Sequence, residues 1–149
     1  MNKKITSLAT VFLLTFANNV FANCELTIDS TDAMKFSADT LSVPSSCKKV
    51  TLTLNHTGKL PKKIMGHNWV LTNTSDVKAV AMEGMSAGLD NHYVKAGDER
   101  VFAASNIIGG GESTTFEFST EKLKAGGDYT FFCSFPGHFG IMKGKFQFV

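Results

Sequence analysis

The sequence predicts an all-β domain, a Greek-key β-sandwich of about eight strands with one short helical insertion. Three observations carry this reading. Apolar and polar residues alternate along most segments, the period of a strand with one buried face. Turns rich in Gly, Asn, Ser and Pro separate these runs. A single stretch departs from period two and takes helical spacing.

In chain order, Cys24, Leu26 and Ile28 alternate with Glu25, Thr27 and Asp29. A further strand is expected around Met34–Ser37. Val50, Leu52 and Leu54 alternate with Thr51, Thr53 and Asn55. "TGKLP" then turns the chain, and another strand is expected around Trp69–Thr72. In "TSDVKAVAMEGMSAG", Val77, Val80, Ala81 and Met85 recur at helical spacing. Thr74 or Ser75 suits an N-cap, Asp76 suits the first turn and Gly88 a stop. Strands are expected again around Arg100–Ala104, at Phe116 and Phe118, around Tyr129–Cys133, and at Phe146 and Phe148. "NIIGGGES" and "KAGGD" supply turns between them. Short strands joined by tight turns predict antiparallel pairing.

The first 22 residues are not part of this domain. "MNKK" is basic, "ITSLATVFLLTFA" is apolar, and "VFA" ends on a small residue. This is the pattern of a signal peptide cut after Ala22, which leaves residues 23–149 as one exported domain. The Lys-Lys start favours a bacterial periplasm, and the apolar run is short for a membrane span. Residues 1–22 hold Lys3 and Lys4 and no acid, so thirteen bases face thirteen acids in the remainder. That near-neutral balance gives no basic field to attract nucleic acid or anionic lipid. It favours partners met through shape and apolar contact, with no membrane insertion after cleavage.

Three cysteines are present. In an exported chain the simplest use of Cys24 and Cys47 is a disulfide. Cys133 is then the odd thiol, and it opens "CSFPGHFGIM". Pro136 and Gly137 turn the chain so that His138 can face the thiol, and Met142 follows four residues later. A second imidazole, His67 in "MGHNWVL", precedes a strand that a sheet can bring across. Two His, one Cys and a weak Met describe a blue-copper electron-transfer site. Structural zinc would call for four strong ligands, commonly with more Cys. A copper-buffering protein would use the same ligands. A thiol enzyme would need His as base with an orienter such as Asn68, and no oxyanion signal accompanies Cys133.

The segments "CELTI", "MGHNWVL", "AGLDNHYVKAGDERVFA", "GGGESTTFEF" and "YTFFCSFPGHFGIMKG" together resemble the azurins, bacterial blue-copper cupredoxins. The likeness runs from Cys24 to Val149. It implies one copper ion, cycling between Cu(I) and Cu(II), at one end of an eight-stranded sandwich. It implies equatorial ligands His67, Cys133 and His138, an axial Met142, and a long contact from the Gly66 carbonyl. Cys24 and Cys47 fall where azurins form a disulfide. Asn68 would tie the ligand loops and donate to the thiolate, and the Phe135 N–H would donate to the same sulfur. Trp69 matches the family's core Trp, and His56 a buried position beside the site, outside the ligand set. An apolar patch of Met34, Leu60, Ile64, Met65, Met85, Phe135, Pro136 and Gly137 would surround the His138 edge, where electrons leave. Phe139 replaces a small polar residue and is expected to enlarge that patch. The resemblance implies an electron carrier between larger redox proteins that transforms no substrate.

Overall fold

The computed structural model describes residues 23–149. The expected signal peptide, residues 1–22, lies outside the described residues.

Among the described residues, nine strands form two packed sheets. The first contains β1 (Glu25–Thr31), β2 (Lys35–Phe36), β4 (Lys49–His56) and β7 (Ser113–Ser119), in the order β2-β1-β4-β7. The second contains β3 (Thr40–Val43), β5 (Val70–Asn73), β6 (Ala103–Ala104), β8 (Tyr129–Phe132) and β9 (Lys143–Phe148), in the order β3-β9-β8-β5-β6. Alternation sets the buried face of each strand. Val50, Leu52, Leu54 and His56 of β4 all point inward, and so do Phe146 and Phe148 of β9.

The sandwich is not wholly antiparallel. β1 runs parallel to β4, with Ile28 beside Leu54, and β3 runs parallel to β9, with Leu41 beside Phe146. The expectation of antiparallel pairing therefore fails at two interfaces. Period two fixes which face of a strand is buried, and says nothing of the neighbour's direction.

Trp69 sits at the centre, fully buried. Its ring stacks on Phe131 at 5.7 Å and meets the edge of Phe146 at 6.0 Å. Phe118 lies 5.7 Å away on the facing sheet. The indole N–H has no partner. Such an orphan costs about 1–3 kcal/mol, set against the burial of an indole among four phenyl rings. Cys24 and Cys47 form a disulfide across 23 residues of chain. It ties the entry to β1 to the segment before β4.

The helical insertion is α2 (Val77–Ala87), and Val77, Val80, Ala81 and Gly84 are its buried residues. Gly88 ends it at φ 76°, donating its N–H to Met85 O. The start differs from expectation. Thr74–Asp76 form a 3-10 turn, and no side chain caps the helix. The Thr74 hydroxyl instead donates to Asp128 and meets Thr130. A four-residue helix, α1 (Lys62–Met65), follows Pro61 and was not expected. Among the described residues, no helix is long and apolar enough to cross a membrane.

Candidate metal centre

Three loops converge at one end of the sandwich. One follows α1 and carries Gly66, His67 and Asn68 into β5. One follows β8 and runs from Cys133 through Met142 into β9. The third precedes β7, where Ile108 forms a two-way backbone pair with His67 at 2.9 Å in each direction. The backbone of the first loop is thus clamped at the residue whose imidazole turns inward.

The inward groups are two nitrogens and a sulfur. His67 Nδ1 lies 3.7 Å from Cys133 Sγ, and His138 Nδ1 lies 3.6 Å from it. The three donor atoms fall within 4.8 Å of one another. His67 and Cys133 are fully buried, and His138 is 3% exposed. A metal bound at about 2.0–2.3 Å with donors roughly 120° apart would space N from S by about 3.8 Å. The observed separations match that value. The donor set therefore fits one ion with a trigonal N, S, N plane, the chemistry expected of copper.

Second bonds fix the ligand orientations. His67 Nε2 donates to Thr31 O at 2.9 Å, which leaves the Nδ1 lone pair facing the sulfur. His56 stacks on His67, ring centroids 4.5 Å apart and planes 22° apart. His56 is itself satisfied. Its Nδ1 accepts from Gly58 N, so Nε2 donates to Met65 O at 2.8 Å. It lies beside the site and turns neither nitrogen into it. His138, with Nδ1 turned to the sulfur, has its opposite ring edge turned away. Phe135 lies against the His138 ring at 4.7 Å.

Asn68 joins the two ligand loops. Its Oδ1 accepts Ser134 N at 2.9 Å, and its Nδ2 donates to Ser134 Oγ at 2.8 Å and to His92 O at 2.9 Å. The donors aimed at Cys133 Sγ are the backbone N–H groups of Asn68 and Phe135. The Asn68 side chain is occupied elsewhere.

Burial sets the electrostatics. It pushes the Cys133 thiol up to about 12, against the pull of those two N–H groups. It pushes His67 down to about 4, opposed by the bond to Thr31 O, and it lowers His138. Metal-free, the pocket thus holds a neutral thiol and two neutral imidazoles. A cation would be held there by the Cys133 thiolate and the lone pairs of both imidazoles.

Met142 is buried and starts the return toward β9. Its N–H donates to His138 O at 2.8 Å, and its carbonyl accepts Cys133 N at 3.0 Å. Both ends of the ligand loop are therefore pinned to one another. Gly66 precedes His67, with its carbonyl 3.9 Å from Cys133 Sγ. A Cβ at Gly66 would strike the Lys62 carbonyl and the Ile107 side chain. Only glycine lets the chain pass this close.

Of the residues expected in a patch about His138, Leu60, Ile64 and Gly137 are exposed, and Met34, Met65, Met85 and Pro136 are half-buried. Phe135 is buried. Phe139 is half-buried. It packs against the outer cluster of Val70, Val77, Val80, Ala81 and Phe132, beside Val94 and Val101. Ile141, beside Met142, is 66% exposed and escaped the sequence reading. An isolated Ile between Gly and Met carries no pattern that separates surface from core.

Residues 22–149 match the family model of copper-binding proteins of the plastocyanin/azurin family. The chain is 55% identical to the azurin of Bordetella pertussis over 128 residues, 86% of this chain and 85% of that one. It is 54% identical to the azurin of Alcaligenes faecalis over 124 residues, 83% of this chain and 97% of that one. A solved structure of the azurin Az-iso2 from Methylomonas sp. strain J superposes with a TM-score of 0.82 at 48% identity, covering 86% and 99% of the two chains. With the N, S, N pocket at the end of its sandwich, the chain belongs to the plastocyanin/azurin family of copper-binding proteins.

Proposed function

We propose that this chain is a periplasmic one-electron carrier. Its blue copper site would be held by His67, Cys133 and His138 as strong ligands, with Met142 as a weak one and the Gly66 carbonyl as a longer contact. The carrying observation is the buried pair of imidazole nitrogens at 3.6 and 3.7 Å from one thiol sulfur, each turned inward by the fold itself. Copper supplies the one-electron couple between Cu(I) and Cu(II).

The chain supplies everything else. Asn68, Ser134 and the Ile108–His67 pair hold the ligands still, so little rearranges when charge changes. The N–H groups of Asn68 and Phe135 spread the thiolate charge and favour the reduced state. Burial keeps water and foreign thiols from Cys133. The outer edge of His138 is the exit for the electron, and Leu60, Ile64, Met65 and Gly137 let a redox partner dock briefly without desolvating charge. The proposal includes no substrate transformation. Residues 1–22 would direct export and be removed.

The test is a visible spectrum of purified protein titrated with Cu(II). An intense blue thiolate-to-Cu(II) band at one equivalent is expected, and Cys133→Ser should abolish it while the fold survives. A colourless loaded protein whose Cys133 alkylates rapidly would instead favour thiol chemistry.

A further inference from the structure

A loop outside the ligand segments reaches both of them. Residues 88–94 leave α2 as a tight turn in which Gly88 O accepts from Asn91 N and Tyr93 N, and Leu89 O from His92 N. Two successive non-glycine residues are left-handed there, His92 at φ 55° and Tyr93 at φ 53°. This conformation is uncommon for His and costly for Tyr, and it persists only where surrounding contacts impose it.

Most of those contacts lead toward the metal pocket. The His92 carbonyl accepts Asn68 Nδ2 at 2.9 Å and Ser134 Oγ at 3.3 Å, the residues following His67 and Cys133. The Tyr93 ring meets the edge of Phe135 at 5.3 Å, and Phe135 lies against His138. Gly84 lets α2 pass directly over the Tyr93 carbonyl, where a Cβ would collide. The side chain of His92 closes the arrangement. Its Nδ1 accepts Ile107 N at 3.1 Å, one residue before the Ile108 that pairs with His67.

We propose that His92 is a positioning residue for the copper ligands. Its carbonyl steadies Asn68 and Ser134, and its imidazole is the pin that holds that carbonyl in place by gripping Ile107. The bond requires a lone pair on Nδ1, so the neutral Nε2–H tautomer is the working form. His92 touches no ligand; it acts through Asn68, Ser134 and Ile107. The inference rests on the copper reading above, and its first measurement needs no copper.

Two substitutions separate the pin from the turn. His92→Gly removes the imidazole yet accepts a positive φ. His92→Asn also tolerates the left-handed region and offers an Oδ1 acceptor near the place of Nδ1. In metal-free protein, exchange of the Ile107 amide hydrogen should quicken about tenfold in His92→Gly, the equivalent of one lost hydrogen bond. It should stay near wild type in His92→Asn. In the Cu(II) protein, His92→Gly should lose metal to a chelator about tenfold faster and shift the thiolate-to-copper band, with both restored in His92→Asn. Unchanged Ile107 protection in His92→Gly would overturn the pin. So would faster exchange accompanied by wild-type copper retention and spectrum, because the loop would then be a structural turn alone. Equal behaviour of the Gly and Asn variants would show that the acceptor is not what matters. A wild-type protein that never turns blue would refute the copper reading, and the Ile107 measurement would still decide the pin.

Discussion

Asn68 and Ser134 bond each other twice: Ser134 N–H donates to Asn68 Oδ1 at 2.9 Å, and Asn68 Nδ2 donates to Ser134 Oγ at 2.8 Å. Both residues are buried, and each directly follows a metal-facing residue. The pair therefore sets the distance between the His67 loop and the Cys133 loop, with or without metal. Asn68→Leu would strand the Ser134 N–H in the interior and leave the His92 carbonyl with Ser134 Oγ alone. At about 1–3 kcal/mol for a stranded group, the metal-free fold should lose about 1–3 kcal/mol. Denaturant unfolding of metal-free protein measures this directly. A loss below about 1 kcal/mol would show that the loops are held chiefly by other contacts.

Met142 tests the axial assignment. Its backbone is fixed by bonds to His138 and Cys133, so Met142→Leu should keep the loop while removing the thioether. Three strong ligands remain, and the protein should still bind copper and stay blue. Thioether donation stabilises Cu(II) more than Cu(I), so the reduction potential should rise. Voltammetry of the loaded variant reads the sign. A fall in potential, or a colourless protein, would remove Met142 from the site.

Metal uptake has a proton count. Burial holds the Cys133 thiol near 12 and His67 near 4, and it lowers His138. At pH 7 the thiol is protonated and both imidazoles are neutral. Loading should therefore release about one proton per ion, all of it from Cys133. Calorimetry in two buffers of different ionisation heat gives the number. A value near zero would mean that the thiolate exists before metal arrives, and a value near two would mean that an imidazole was charged.

The same burial makes metal-free stability depend on pH. His67 takes up a proton near 6.5 when unfolded and near 4 when folded. Between those values the unfolded chain binds more protons, so stability falls as pH falls from about 6.5 toward 4, and this contribution levels off below. His138 acts in the same direction. Asp32 and Glu112 enter at lower pH. Backbone N–H groups of Lys59 and Gly109 respectively hold their carboxyls below the usual values of 3.8 and 4.5, so their stabilisation fades only as they protonate. Unfolding midpoints of metal-free protein at pH 7, 6 and 5 should decline. A flat profile across that window would contradict neutral burial of His67.

What was legible in the sequence follows physical lines. Alternation in β1, β4, β7 and β9 reports a buried face, and those strands lie where the pattern puts them. β3, with only Leu41 and Val43 inward, is too short to rise above its surroundings. The sequence also lacks strand direction, because the parallel pairings of β1 with β4 and β3 with β9 are set by how loops cross the ends of the sandwich. The metal-facing trio was legible because Cys and His bring rare chemistry to a turn. Thr74 was misread as a cap because Asp128 and Thr130, more than fifty residues on, compete for its hydroxyl. His92 was missed because a lone His in a polar turn has no period and no motif, and only the folded chain shows what its nitrogen grips.

The electron exit places the sharpest demand on the surface. His138 turns one edge to the sulfur, and in the proposed function a partner approaches over the opposite edge. Met65 ends α1, half-buried between the 62% exposed Ile64 and the buried Gly66. Its carbonyl accepts His56 Nε2–H, and a side-chain change keeps that bond. Met65→Lys should therefore leave the ligands, the colour and the potential nearly unchanged. It would place an ammonium group in the proposed docking surface. Burying that group without a counter-ion costs several kcal/mol, so contact is disfavoured rather than chemistry. Self-exchange between two copies brings two such surfaces together, and the two charges repel as well. The self-exchange rate near neutral pH should fall by about two orders of magnitude or more, each factor of ten being about 1.4 kcal/mol. It should recover in part at high pH as the lysines lose their protons. Line broadening in mixtures of reduced and oxidised protein gives the rate. A wild-type rate at neutral pH, with copper bound normally, would mean that electrons leave by another face.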